Sequence, residues 1–131
     1  MMTTELTALI AALLVQCATL GIMAVVANLE LGTRVTAGRR DGPIPQMSKR
    51  LGRLYRAVSN GFEGLILFAP AVLVVALSGQ STTVTAIAAW AYVAARILYL
   101  PAYAFGLVPW RSAIWAIGFF ATLTLLVSAL V

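Results

Sequence analysis

Three polar side chains recur at helical spacing inside an otherwise apolar stretch of the sequence. Arg56, Asn60 and Glu63 are spaced i, i+4 and i+7, which places them within about 60° of one another on one helix face. Arg53 flanks the same face. A charge within a membrane span costs roughly 2.5–3.5 kcal/mol on insertion scales, so such residues are candidates for function.

A second polar stripe lies in the next apolar stretch, where Arg96, Tyr99 and Tyr103 have the spacing i, i+3 and i+7. Glu63 and Arg96 each lie about nine residues, roughly 13 Å at 1.5 Å per residue, from the same side of the predicted membrane. A Glu63–Arg96 pair would let both groups keep their charge. We therefore predict that contact, either within one chain or between neighbouring subunits.

Arg111 occupies an unusual place for a cation, since it stands at the predicted start of the last helix. The helix dipole favours anions at that end. An anion held between Arg111 and the free backbone N–H groups would resolve the conflict. The alternative is that Arg111 only anchors the helix at the cytoplasmic interface.

Polar residues in membrane spans can serve only to hold helices together, and one pair would fit that role. Here three arginines, an asparagine, a glutamate and two tyrosines converge near one side of the membrane. That number exceeds what packing requires. The sequence favours a site for an anionic, polar ligand that enters from the cytoplasmic side.

The elements that position these residues follow from the composition. The chain has 131 residues, of which 62% are hydrophobic and 10% charged, whereas soluble domains are about a quarter charged. The hydropathy predicts an all-α membrane protein, a bundle of four transmembrane helices in a single domain, with spans at about residues 6–31, 54–77, 83–105 and 112–131. The first span is too long for a signal peptide. With no histidine and one cysteine, we expect no metal site and no intrachain disulfide.

The basic residues predict the orientation of these spans. Most of them lie in or beside the first connection, namely Arg34, Arg39, Arg40, Lys49, Arg50 and Arg53. With Arg111 at the third connection, the positive-inside rule places the first and third connections in the cytoplasm and both termini on the opposite side. The net charge of +5 therefore indicates topology, not nucleic-acid binding. Glu30 and Arg34 are predicted to pair at i, i+4.

Two of these motifs together resemble a known family, the membrane-associated proteins in eicosanoid and glutathione metabolism (MAPEG). The family's Arg-Ala, Asn and Glu pattern matches residues 56–63, and its Arg, Tyr and Tyr pattern matches residues 96–103. The run Pro109-Trp110-Arg111-Ser112 is similar to the family's Arg-Ser opening of the last helix. One departure is Ile66, where many members have a proline.

The resemblance implies a homotrimer that binds glutathione as a co-substrate between adjacent subunits, near the cytoplasmic interface. Matching positions would line that site together with flanking basic residues: Arg34, Arg53, Arg56, Asn60, Glu63, Arg96, Tyr99 and Tyr103. Arg111 would stabilise the glutathione thiolate, with Ser112 beside it. The implied activity is a transferase, with peroxidase activity as an extension, that detoxifies lipophilic electrophiles dissolved in the membrane lipid.

Two other functions remain open at this stage. Some members of the family bind lipids and partner enzymes without catalysis, so a non-catalytic lipid-binding or scaffold protein is one alternative. A small multidrug exporter is another. Such exporters rely on a carboxylate midway along the first helix, where this chain has only Glu5 and Glu30 at the two ends.

Overall fold

Four long helices make up most of the structure, a computed structural model that describes residues 2–39, 41–42, 46–106 and 110–131. A fifth helix, of four residues, follows the first. In chain order they are α1 (Thr4–Leu31), α2 (Thr33–Thr36), α3 (Lys49–Leu77), α4 (Thr83–Ala104) and α5 (Trp110–Leu130). The four long helices are long and apolar enough to cross a membrane. The predicted all-α, four-span architecture is confirmed.

Capping side chains set where these helices begin. Ser48 accepts a hydrogen bond from the backbone N–H of Leu51 at 3.1 Å, so α3 begins at Lys49, five residues before the predicted 54. Hydropathy placed that boundary late because the first turns of α3 are basic and extend beyond the apolar span. Thr82 and Thr85 form a reciprocal capping box at the start of α4, which satisfies N–H groups that lack helical partners.

The end of α1 differs from the prediction. Gly32 adopts φ +82°, a conformation that glycine tolerates and other residues rarely adopt, and the chain then turns into α2. Glu30 accepts hydrogen bonds from the hydroxyl of Ser48 at 2.8 Å. The predicted Glu30–Arg34 pair does not form among the described residues, because Gly32 interrupts the helix that would have aligned the two side chains.

Parts of the first and third predicted connections lie outside the described residues. These are residues 43–45 and 107–109, together with Arg40.

The bundle places α1 and α5 on opposite sides. In the described part of the chain, α1 packs against α3 and α4, α5 also packs against α3 and α4, and α1 does not touch α5. Phe68, Val72, Val75 and Leu125 are fully buried at the centre. Small residues surround them, including Ala8, Ala12, Ala71 and Ala89, and they let helix backbones approach closely, which is how helices associate in lipid.

The contact between α1 and α3 contains a buried polar link. Gln16 is 7% exposed and its Nε2 donates to the carbonyl oxygen of Val58 at 3.0 Å. The side chain fits because residue 61 is glycine: a Cβ there would stand 2.8 Å from the Cδ of Gln16. This link fixes α1 beside the part of α3 that carries the polar stripe.

A buried carboxylate fastens the other end of the bundle. Glu5 is 0% exposed and accepts hydrogen bonds from the hydroxyls of Ser81, at 2.8 and 2.7 Å, and Thr85. Ser81 lies between α3 and α4, and Thr85 is in the first turn of α4. One side chain of α1 therefore holds the α3–α4 connection in place.

Because Glu5 satisfies two hydroxyl groups at once, we expect Glu5→Ala to lower stability by about 1–3 kcal/mol. Thermal unfolding in detergent, followed by circular dichroism, measures this loss. Glu30→Ala is the matched control, since Glu30 is exposed and contacts only the hydroxyl of Ser48 among the described residues. Equal unfolding temperatures for the two variants would contradict the role assigned to Glu5.

Candidate functional site

The two polar stripes meet where α3 faces α4. Nη1 of Arg96 donates to Oδ1 of Asn60 at 2.7 Å, and the guanidinium carbon of Arg96 lies 4.4 Å from the ring centroid of Tyr99. The predicted Glu63–Arg96 pair is wrong within the chain, because Arg96 turns to the amide one helical turn before Glu63. A contact between Glu63 and Arg96 of different subunits stays a prediction.

Tyr103 is the centre of a second group of contacts. Its hydroxyl accepts a hydrogen bond from Nε of Arg56 at 2.8 Å. The guanidinium carbons of Arg56 and Arg111 lie 5.9 and 5.2 Å from its ring centroid, within the range of a cation–π contact. The ring of Tyr99 packs beside it, with centroids 5.5 Å apart. The tyrosine stripe of α4 thus brings three guanidinium groups together.

Arg111 stands in the first turn of α5, as the sequence predicts. Its Nε is buried and has no hydrogen-bond partner among the described residues. It borders a cavity of about 160 Å³ that is also lined by Asn60, Tyr99, Ser112 and Trp115. A guanidinium and a helix start both favour negative charge, so this cavity is suited to an anion.

A second cavity, of about 170 Å³, lies between α3, α4 and α5 and shares part of its lining with the first. Asn60, Tyr99 and Trp115 line both cavities. The second also has polar walls at Glu63 and Arg96, whereas Leu67, Ile114 and Phe119 make another part of its lining apolar. The site therefore combines a cationic compartment with a largely apolar one.

Glu63 and Arg56 are exposed in the single chain. Glu63 makes no hydrogen bond or ion pair to any residue that the structure describes, although it borders the second cavity. The apolar residues Phe62, Ile66 and Leu67 are exposed on the same side of α3. Charged groups facing lipid are unfavourable, so a partner or ligand that covered this side of α3 would stabilise both charges.

Two predicted site residues lie apart from the cluster. The guanidinium carbon of Arg53 lies 3.2 Å from where a Cβ on Gly106 would stand, which places it at the end of α4. Arg34 is exposed on α2, which follows α1, and α1 and α5 lie on opposite sides of the bundle. Within one subunit, Arg34 therefore does not reach the cavity beside Arg111.

The sequence analysis did not select Tyr92, Gly64, Gly118 or Trp115 for the site. All four line the second cavity. Tyr92 could have been found, because it extends the stripe of Arg96 and Tyr99 by the spacings i+4 and i+7. No pattern in the sequence marks the two glycines. The side chains that lie against them are known only once the helices are packed together.

The Arg96–Asn60 hydrogen bond is expected to stabilise the contact between α3 and α4. Asn60→Leu keeps the approximate shape but leaves the guanidinium without its acceptor, so we expect a loss of about 1–2 kcal/mol in ligand-free protein. Asn60→Asp, which keeps an acceptor, should retain stability. Thermal unfolding in detergent tests both, with Ser59→Ala on the exposed side of α3 as control. A stable Asn60→Leu variant would contradict this assignment.

The comparisons with known proteins agree with this architecture. A protein-family model, described as the MAPEG family, matches residues 8–131. Neither the comparison with curated proteins nor that with solved structures finds a significant match. The family match covers all four long helices apart from the first turn of α1, and it includes every residue of the cluster. The chain is therefore an integral, multi-pass membrane protein that belongs to the MAPEG family.

Proposed function

We propose that this protein binds glutathione and transfers its thiolate to lipophilic electrophiles dissolved in the membrane. The family contains both glutathione transferases and non-catalytic members, so membership alone does not decide the activity. The observation that carries the proposal is Arg111, whose buried Nε has no partner in the described residues and borders a cavity at the start of α5.

The chemistry of glutathione matches the charges of the cluster. Its two carboxylates suit guanidinium groups, which bind carboxylates through paired hydrogen bonds, and Arg56 is exposed and available for this. Its ammonium group requires a carboxylate, and Glu63 is the acidic residue at the second cavity. The thiol becomes a strong nucleophile only as thiolate. Arg111 and the first N–H groups of α5 favour that ionisation, and the hydroxyl of Ser112 borders the same cavity.

The proposed assembly is a homotrimer in which a neighbouring subunit completes the site. The exposed charges of Arg56 and Glu63 support this, since a second copy would remove them from lipid. Arg34 lies on the side of α1, away from α5, so the role that the resemblance implies for it at the ligand requires a neighbouring subunit. The cost of leaving these groups in hydrocarbon favours association.

The proposed orientation brings glutathione in from the cytoplasm. The starts of α3 and α5 and the end of α4 carry most of the basic residues and the cation cluster, which the positive-inside rule assigns to that face. The acceptor enters from the membrane. In conjugation, the thiolate sulfur bonds to an electrophilic carbon and the leaving group departs with its electron pair. Reduction of lipid hydroperoxides is the corresponding peroxidase activity, and both would serve detoxification.

Calorimetric titration with glutathione tests the binding site. We expect Arg56→Ala and Glu63→Gln each to weaken binding by about tenfold or more, since each removes a charge-assisted contact worth roughly 1.5–3 kcal/mol. Arg39→Ala is the matched control, because Arg39 is an exposed arginine of the first connection. Equal heats for wild type and the two site variants would remove the proposed site.

Ultraviolet absorbance of the bound thiolate tests the role of Arg111. We expect Arg111→Ala to bind glutathione but to lose most of the thiolate signal and the turnover of an electrophile. Binding by wild-type protein without thiolate and without turnover would exclude the transferase and favour a non-catalytic member of the family.

A further inference from the structure

Tyr92 is a buried tyrosine whose hydroxyl lacks a partner. The residue is 3% exposed, and no atom of the described residues hydrogen-bonds to its Oη. Its ring stacks on that of Phe68, with centroids 3.8 Å apart and planes 7° from parallel. Phenylalanine would make the same stacking contact without a polar atom, so the hydroxyl is not explained by packing.

An unpaired hydroxyl in an apolar interior is unfavourable, and buried tyrosine hydroxyls usually have a partner. Gly64 leaves room for this one, because a Cβ there would stand 2.6 Å from Oη of Tyr92, too close without a shift. At Gly118 a Cβ would stand 3.5 Å from Cδ2 of the ring, an ordinary van der Waals contact. Helix α3 thus accommodates the hydroxyl where a larger residue would displace it.

Tyr92, Gly64 and Gly118 all line the cavity of about 170 Å³ between α3, α4 and α5. A dry apolar cavity of roughly 150 Å³ holds a single benzene ring, so a ring-sized molecule fits this space. Leu67, Ile114 and Phe119 supply apolar walls, and Trp115 lines both this cavity and the one beside Arg111. Among the buried side chains of this lining that the structure describes, Tyr92 has a hydroxyl without a hydrogen-bond partner; Glu63, which also lacks one, is exposed.

We propose that this cavity binds a compact, ring-sized apolar molecule with one hydrogen-bond acceptor, and that the hydroxyl of Tyr92 donates to that acceptor. As the site of the electrophile, this rests on the proposed function and names its substrate class: a small aromatic or cyclic compound with a carbonyl or comparable oxygen. Ligand binding itself requires no glutathione. Tyr92 thereby selects among apolar molecules that would otherwise enter equally well.

The same hydrogen bond would assist a reaction at a conjugated carbonyl. The thiolate sulfur forms a bond to the β-carbon, and the carbon–carbon π electrons shift so that negative charge develops on the carbonyl oxygen. A donor placed at that oxygen stabilises the charge. A proton from water completes the addition at carbon. In this scheme Tyr92 positions the carbonyl oxygen and stabilises the charge that develops on it. Its hydroxyl forms no covalent bond.

Ligand-observed fluorine NMR on the full-length protein in lipid nanodiscs tests the proposal, with no glutathione present. The probes are 4-fluoroacetophenone and 4-fluoroethylbenzene, which have similar size but differ in the acceptor oxygen. After correction for partitioning into empty nanodiscs, wild-type protein should bind the ketone about 5- to 10-fold more tightly. Tyr92→Phe should abolish this preference, and Tyr55→Phe, which changes an exposed tyrosine of α3, should keep it.

Thermal unfolding without ligand separates binding from a structural role. Tyr92→Phe retains the ring on Phe68, so the variant should be at least as stable as wild type. A marked loss of stability would show that the hydroxyl is satisfied within the protein and would overturn the proposal. Partitioning alone, or a ketone preference that survives Tyr92→Phe, would also overturn it. Because no glutathione is present, this experiment is independent of the glutathione titration. Failure of either one leaves the outcome of the other unchanged.

Discussion

A guanidinium group inside a membrane must find an acceptor or an aromatic face, and this requirement organises the region where α3, α4 and α5 meet. Arg96 is held by Asn60 and the ring of Tyr99. Arg56 is held by the hydroxyl of Tyr103, and Arg111 lies over the ring of the same tyrosine. Three cations therefore approach one another through two tyrosines instead of through carboxylates. Their charge is stabilised but not neutralised, which leaves the region attractive to an anion.

The packing of the helices makes this arrangement possible. Gly61 admits Gln16 between α1 and α3, and Gly64 admits the hydroxyl of Tyr92 between α3 and α4. At the opposite end of the bundle, Glu5 fixes α1 to the start of α4. With both ends fixed, α3 and α4 keep the relative position that brings Asn60 to Arg96. Helices in lipid associate through such close contacts and buried hydrogen bonds, because the hydrophobic effect does not drive them together.

Two neighbouring cavities follow from the same geometry, one bordered by Arg111 and the other by Tyr92. The proposed arrangement places the glutathione thiolate beside Arg111 and the apolar acceptor beside Tyr92, with Glu63 of the second cavity left to the glutathione ammonium group. Such an arrangement suits a reaction between a water-soluble and a membrane-soluble molecule. Under this proposal, exclusion of water by apolar walls near the reacting groups would strengthen the electrostatic effect of a guanidinium on a thiolate.

The sequence by itself determined the four membrane spans, the family and the two polar stripes, because hydropathy and helical spacing depend only on local order along the chain. It placed the start of α3 too late, since hydropathy does not register the basic first turns that Ser48 caps. Tertiary structure alone decided the partners. Glu63 and Arg96 lie at similar predicted depths, yet the rotation of α3 against α4 presents Asn60 to Arg96. The depth of a residue in the membrane follows from counting residues along its helix. The rotation of one helix against its neighbour follows from packing around glycines, whose importance appears only when the helices are in contact.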